Sequence, residues 1–179
     1  MATSFPGMDV LVSVTVVIGW RKSKRMAAQL PDIIILESKE MDLYTNPLEP
    51  FWETSNRRKP NFKSSENCKR GYVAAWTIKG NQLILTNIKG KHYTKTFFFG
   101  DKEKDIAIKN LFPKSKNNNV HANWYSGKLR IPAGPMTQYE HYNYNSRFEK
   151  EIIITVSKGD VIKMVTLDYT QQKLVVNLR

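Results

Sequence analysis

The sequence predicts a β-rich α+β domain, a predominantly antiparallel β meander with one or two short helices. Apolar runs of strand length recur from Asp32 onward and are separated by clusters of Gly, Asn, Pro and Ser. Several connections, Gly80-Asn81 and Lys158-Gly159-Asp160 among them, are short enough to join antiparallel neighbours. No heptad pattern and no fixed-period repeat runs through the chain, which sets aside coiled coils and solenoids.

Residues 1–25 read as an extension and residues 26–179 as one β-rich domain. In the extension, Val10 to Trp20 is a nearly continuous apolar run followed by Arg21, Lys22, Lys24 and Arg25. As a helix it would span about 16 Å, against a hydrocarbon core of about 30 Å, so stable membrane insertion is not expected. A secretory signal places its positive charge before the apolar segment, the reverse of this order. Three readings stay open: an added strand, favoured by Val12, Val14 and Val16 alternating with Ser13 and Thr15; a tail upstream of a start at Met8 or Met26; and a weak interfacial anchor.

Within the domain, Ile33 to Leu36 and Met41 to Tyr44 flank the turn Glu37-Ser38-Lys39-Glu40 and predict a first hairpin. Pro47 to Trp52 predicts one helical turn with proline near its start. Glu53 to Arg70 is an irregular basic loop holding Arg57, Arg58, Lys59, Lys63, Lys69 and Arg70. Tyr72 to Ile78 and Leu83 to Ile88 form the clearest hairpin, because Gly80 and Asn81 tolerate the positive φ of a primed turn. That register sets Trp76 opposite Leu85, Ile78 opposite Leu83 and Ala74 near Asn87, making Trp76 a core anchor.

His92 to Phe99 predicts a separate third strand, and Asp101 a helix cap for a segment reaching Leu111. Val120 to Trp124 and Lys128 to Ile131 flank the turn-like Tyr125-Ser126-Gly127, and Pro132 to Pro135 forbids a regular ladder beyond. Tyr139 to Asn145 alternates as a strand would, with Tyr139 and His141 on one parity and Tyr142 and Tyr144 on the other. Ile152 to Val156, Val161 to Leu167 and Leu174 to Leu178 complete the strands.

Charge and cysteine content narrow the chemistry. The formal charge is +12 and the pI near 9.8, which favours an acidic protein partner or a polyanion, nucleic acid included. Abundant lysine beside Asn and Ile also fits an AT-rich genome regardless of function. The single cysteine, Cys68, excludes an intramolecular disulfide framework and suits a reducing, cytoplasmic setting. Three histidines without paired spacing make a poor metal set, no phosphate loop of the Walker type is present, and no paired carboxylates nominate general acid and base. A Cys-His nucleophilic pair is formally available, but Cys68 sits in a lysine-rich loop that lowers a thiol pKa without implying catalysis. No cofactor is expected.

The binding material is richer. Arg57, Arg58, Arg70, Tyr72, Trp124, Arg130, Tyr139, His141 and Tyr144 form the candidate ligand or partner set. Planar guanidinium groups bind phosphate or carboxylate in bidentate fashion, and tyrosines offer a ring with a hydrogen-bonding tip. Arg70, Arg130, Tyr139 and Tyr144 are expected to line one surface. The competing reading has Arg70 and Arg130 holding carbonyls and carboxylates inside the domain. Two functions follow: a non-catalytic binding or protein-interaction module, of accessory or immunity type, or a nucleic-acid or nucleotide binder that stacks bases on aromatics.

The succession Asn46-Pro47-Leu48-Glu49, Arg70-Gly71-Tyr72, Ala75-Trp76, Leu111-Phe112-Pro113, Asn123-Trp124-Tyr125-Ser126-Gly127, Leu129-Arg130-Ile131-Pro132, Gly134 and Tyr139 to Tyr144 resembles a family of uncharacterised bacterial proteins. The likeness spans roughly Asp32 to Ile162 and implies a bacterial cytoplasmic context without an assigned activity. The chain departs from that pattern at Lys69, where the family has a tryptophan or similar residue, and at Asn123, where it has aspartate. It also lacks the family's glycines near Asn143 and Asn145.

Overall fold

The computed structural model describes residues 29–96, 100–115, 117–140 and 144–170. The N-terminal apolar run, its basic cluster and the strand expected at Leu174 to Leu178 lie outside these residues. The described chain is a mixed, largely antiparallel sheet with two short helices, the α+β class that the sequence predicts.

β1 (Asp32–Leu36) and β2 (Lys39–Leu43) form the expected first hairpin around Glu37 and Ser38, both at positive φ. α1 (Glu49–Thr54) carries a proline in its first turn and buries Phe51. β3 (Tyr72–Lys79) and β4 (Gln82–Thr96) turn at Gly80 and Asn81, with φ of 55° and 62°. Trp76 lies opposite Leu85 and Ile78 opposite Leu83, as the primed turn requires, and Trp76 is fully buried. The register shifts between Ala75 and Trp76, leaving Thr86 as an extra residue in β4 whose hydroxyl donates to the Ala75 carbonyl at 3.0 Å. Ala74 therefore faces Ile88 instead of Asn87, and both are buried.

Three expectations along the middle of the chain are corrected. β4 does not stop at Ile88; it runs through Gly90, and the strand expected at His92 is its far half. Gly90 permits this because β4 crosses β3 closely there: a Cβ at Gly90 would lie 2.6 Å from the Gly71 carbonyl oxygen. The helix expected from Asp101 is instead β5 (Gly100–Asp105), paired with Lys91–Thr96, followed by a single turn, α2 (Ile108–Leu111). Acids of β5 find lysines there, Glu103 reaching both Lys63 and Lys91. Finally, β6 (Val120–His121) pairs with β4 at Ile84 and Leu85, so it makes no hairpin with β7 (Gly127–Pro132).

Beyond β7, a small ribbon of β8 (Met136–Gln138) and β9 (Arg147–Phe148) precedes β10 (Lys150–Ser157) and β11 (Asp160–Asp168). β8 ends at Gln138, so the strand expected over Tyr139 to Asn145 does not form among the described residues. The main sheet runs β2-β1-β3-β4-β11-β10-β7, with β1 and β3 its one parallel pair. The sheet curls until its two ends meet: the Tyr44 N–H donates to the Arg130 carbonyl at 2.8 Å, and the Arg130 N–H to Thr45 Oγ1 at 3.0 Å. Leu43, Ile34, Trp76, Leu85, Leu129 and Ile154 fill the interior. β4 and β11 pair in register only at Gln82 and Asp160, flanked by hydrogen bonds from the Leu83 N–H to the Gly159 carbonyl at 2.8 Å and from the Val161 N–H to the Asn81 carbonyl at 2.7 Å, so among the described residues the curl is incomplete on that side.

Candidate functional site

Two arginines organise the end of the curl, and each meets a carboxylate. Asp32 begins β1 on its inward face and is fully buried. Its Oδ1 accepts from Arg70 Nη2 at 2.8 Å and from the Ala74 N–H at 3.0 Å, and its Oδ2 accepts from the Trp76 indole at 3.1 Å. Burial pushes the Asp32 carboxyl above its ordinary range, against the pull of Arg70 and these donors. Arg70 also lies over the Tyr72 ring, 5.5 Å from its centroid.

Arg130 sits on β7 with the opposite parity to Leu129 and Ile131, hence on the outer face of the sheet. Its Nε donates to Glu151 Oε2 at 3.0 Å and its Nη2 to Glu151 Oε1, a bidentate pair between neighbouring strands. The same guanidinium holds the Ser146 carbonyl at 2.8 Å and the Tyr144 carbonyl, which ties the segment after β8 to the sheet. The hydrogen bonds to Glu151 hold the Arg130 pKa above its ordinary value.

Tyr144 links the two arginines. Its hydroxyl accepts from Arg70 Nη1 at 2.9 Å and lies 3.0 Å from both the Leu30 carbonyl and Asn46 Oδ1. Its ring stacks on Tyr44, with centroids 5.0 Å apart, and Tyr44 meets Phe148 edge-on. Desolvation raises the Tyr144 pKa, so the hydroxyl stays neutral across the physiological range.

Under the β8–β9 ribbon lies a cavity of about 890 Å³ on the outer face. Arg130 and Glu151 form its floor, Phe148 and Tyr169 its apolar part, and Glu140, Arg147 and Glu149 its charged rim. Among the described residues, Arg147 has no ion-pair partner and the Glu149 carboxylate accepts no hydrogen bond. The volume lies within the range of ligand pockets, and charges of both signs converge on it.

The structure thus brings Arg70, Tyr72, Arg130 and Tyr144 into one connected region. Tyr139 lies nearby and is 55% exposed, while His141 falls outside the described residues. Arg57, Arg58 and Trp124 lie elsewhere. Arg57 donates to the Leu111 carbonyl, Arg58 is exposed, and the Trp124 indole donates to the Pro47 carbonyl at 2.9 Å while its ring stacks on Phe112. Cys68 is buried, with its thiol 3.2 Å from the Tyr72 carbonyl.

Sequence reasoning missed Asp32, Tyr44, Arg147, Glu149, Glu151 and Tyr169. A faint signal existed for Glu151: it shares the parity of Ile153, so extending the strand by one residue would have set an acid beside Arg130. Among the described residues no cluster of His, Cys, Asp and Glu is placed to hold a metal, and no helix is long and apolar enough to cross a membrane. Comparison with protein-family models, curated proteins and solved structures gives no match.

Proposed function

We propose that the protein is a non-catalytic binding module of the bacterial cytoplasm, of accessory or immunity type, that engages a protein partner through the outer-face cavity. The observation that carries this reading is the cavity itself: a floor fixed by the Arg130–Glu151 pair beneath a rim where Arg147 and Glu149 have no ion-pair partner among the described residues. A fixed floor lowers the ordering cost of binding, and uncommitted charges at the rim give orientation.

Nucleic acid is the less supported ligand. Arg70 and Arg130, the natural phosphate ligands, each face a carboxylate inside the fold, so a phosphate would have to displace Asp32 or Glu151. The overall charge of +12 favours an acidic protein through long-range steering.

Fluorescence anisotropy of the full chain against labelled single-stranded DNA, duplex DNA and RNA at low and moderate salt tests the choice. Weak binding that vanishes for all three polymers alike as salt rises is the expected result. Binding that persists at moderate salt and drops on Arg147→Ala would overturn the protein-partner reading.

A further inference from the structure

We propose that the pocket between α2 and β6 is a binding site for a small phosphate monoester. It shares no residue with the outer-face cavity, so the inference stands independently of the binding-module reading.

One loop and one arginine build the pocket. α2 ends at Leu111, and Asn117 and Asn118, at φ of 53° and 55°, turn the chain before it enters β6. Phe112 to Ser115 and Asn119 to His121 thereby line one space of about 350 Å³. Arg57 reaches it from the basic loop and is held there by the Leu111 carbonyl, to which its Nη1 donates. Its Nε and Nη2 have no acceptor among the described residues.

Three observations point to an anion. No carboxylate lines this pocket, whereas three line the outer-face cavity. Arg57 and Lys114 bring two cations, and neither has an ion-pair partner among the described residues. Beyond those residues the sequence holds a single acidic side chain, Asp9. Ser115 Oγ is buried with no hydrogen-bond partner among the described residues, a deficit that a bound acceptor would remove. His121 is not counted as a ligand, because its Nε2 lies 3.2 Å from Asp160 Oδ1.

The donors set the class of anion. Two cations match a phosphate dianion: a guanidinium fork takes two of its oxygens, and an ammonium and a hydroxyl take the third. A phosphodiester carries one charge and fewer free oxygens, so a nucleic-acid backbone is the poorer match. Phe112, Pro113 and Val120 supply an apolar wall, and Phe112 is braced by Trp124, stacked with centroids 5.4 Å apart. That wall favours a phosphate carried on a small apolar or aromatic group over the free ion.

The test titrates the isotope-labelled full chain with phenyl phosphate, methyl phenyl phosphate and inorganic phosphate, following backbone amide shifts by NMR. Phenyl phosphate should shift the amides of Lys114, Ser115 and Asn119, with the diester and inorganic phosphate each about tenfold weaker. Lys114→Gln should weaken phenyl phosphate about tenfold. Ser115→Ala should weaken it about threefold while leaving the urea midpoint unchanged or higher, because the variant removes an unsatisfied hydroxyl and no internal bond. No shift at these amides with any of the three at about 10 mM would overturn the site. Binding that survives Lys114→Gln and Ser115→Ala but falls on Arg147→Ala would overturn it by placing the phosphate in the outer-face cavity. A diester as tight as phenyl phosphate would overturn the monoester, and inorganic phosphate as tight as phenyl phosphate would overturn the apolar wall and make the free ion the ligand.

Discussion

Arg70 donates to the Tyr144 hydroxyl at 2.9 Å, joining residues 74 positions apart. The Tyr144 backbone carbonyl meanwhile accepts from Arg130, so one tyrosine fastens both guanidinium groups. Replacing it by phenylalanine keeps the ring on Tyr44 and removes only the hydroxyl. Tyr144→Phe should lower stability by about 1–3 kcal/mol, because a hydrogen bond to a charged group is lost and Arg70 is left under-satisfied. Urea unfolding with an unchanged slope would report this; no shift in midpoint would refute the role of the hydroxyl.

Asp32 and Arg70 should behave as a coupled pair. Asp32→Ala leaves a guanidinium that is 8% exposed without its carboxylate, and the cost should be about 3–5 kcal/mol. Arg70→Met alone should be comparably damaging, while the double variant should cost well under the sum of the two. Additive losses in the double-mutant cycle would show that the pair acts as two independent packing residues.

Gly90 and Gly80 should separate sharply. Gly90→Ala forces a Cβ to within 2.6 Å of the Gly71 carbonyl oxygen and should cost about 1–3 kcal/mol through displacement of β3 from β4. Gly80→Asn occupies open space at a positive φ that asparagine accepts, and should change the thermal midpoint little. Equal midpoints for the two variants would contradict the close crossing.

Tyr125 makes stability fall in base. Burial pushes its phenol up to about 12, above the ordinary value of 10.0. The unfolded phenol ionises first, so this contribution is intact below about pH 10, declines as pH rises toward about 12, and is fully lost above the folded value. Denaturant titrations across this window should show the decline in the parent and a shallower one in Tyr125→Phe. A parallel pH dependence in the two would remove Tyr125 as the cause.

Much of the fold is written in local signals. The Gly80-Asn81 turn fixes the β3–β4 register near Trp76, because two residues at positive φ admit few alternatives. The parts that escaped are those where a local rule is overruled by a distant contact. Gly90 reads as a strand end and is instead the point where two strands cross closely. The charged run of β5 has no apolar period and reads as a capped helix, yet it pairs with β4 through cross-strand charge as an exposed ribbon. Site legibility divided in the same way. Arg70, Arg130 and Tyr144 stood out by residue type, whereas Asp32 and Glu151 sit at the first and second positions of their strands, where a one-residue change in the boundary hides them.

The pairing of β1 with β3 has a consequence for how the chain reaches this state. Asp32 enters the interior on β1, and the groups that accommodate its charge, Arg70, Ala74 and Trp76, arrive only with β3. A first hairpin docked by itself would carry a desolvated carboxylate with no donor, so partial assemblies containing β1 without β3 are penalised. Assembly at this end is therefore all-or-none: a buried acid acts as a check that the two parallel neighbours come together in register before either is committed to the core.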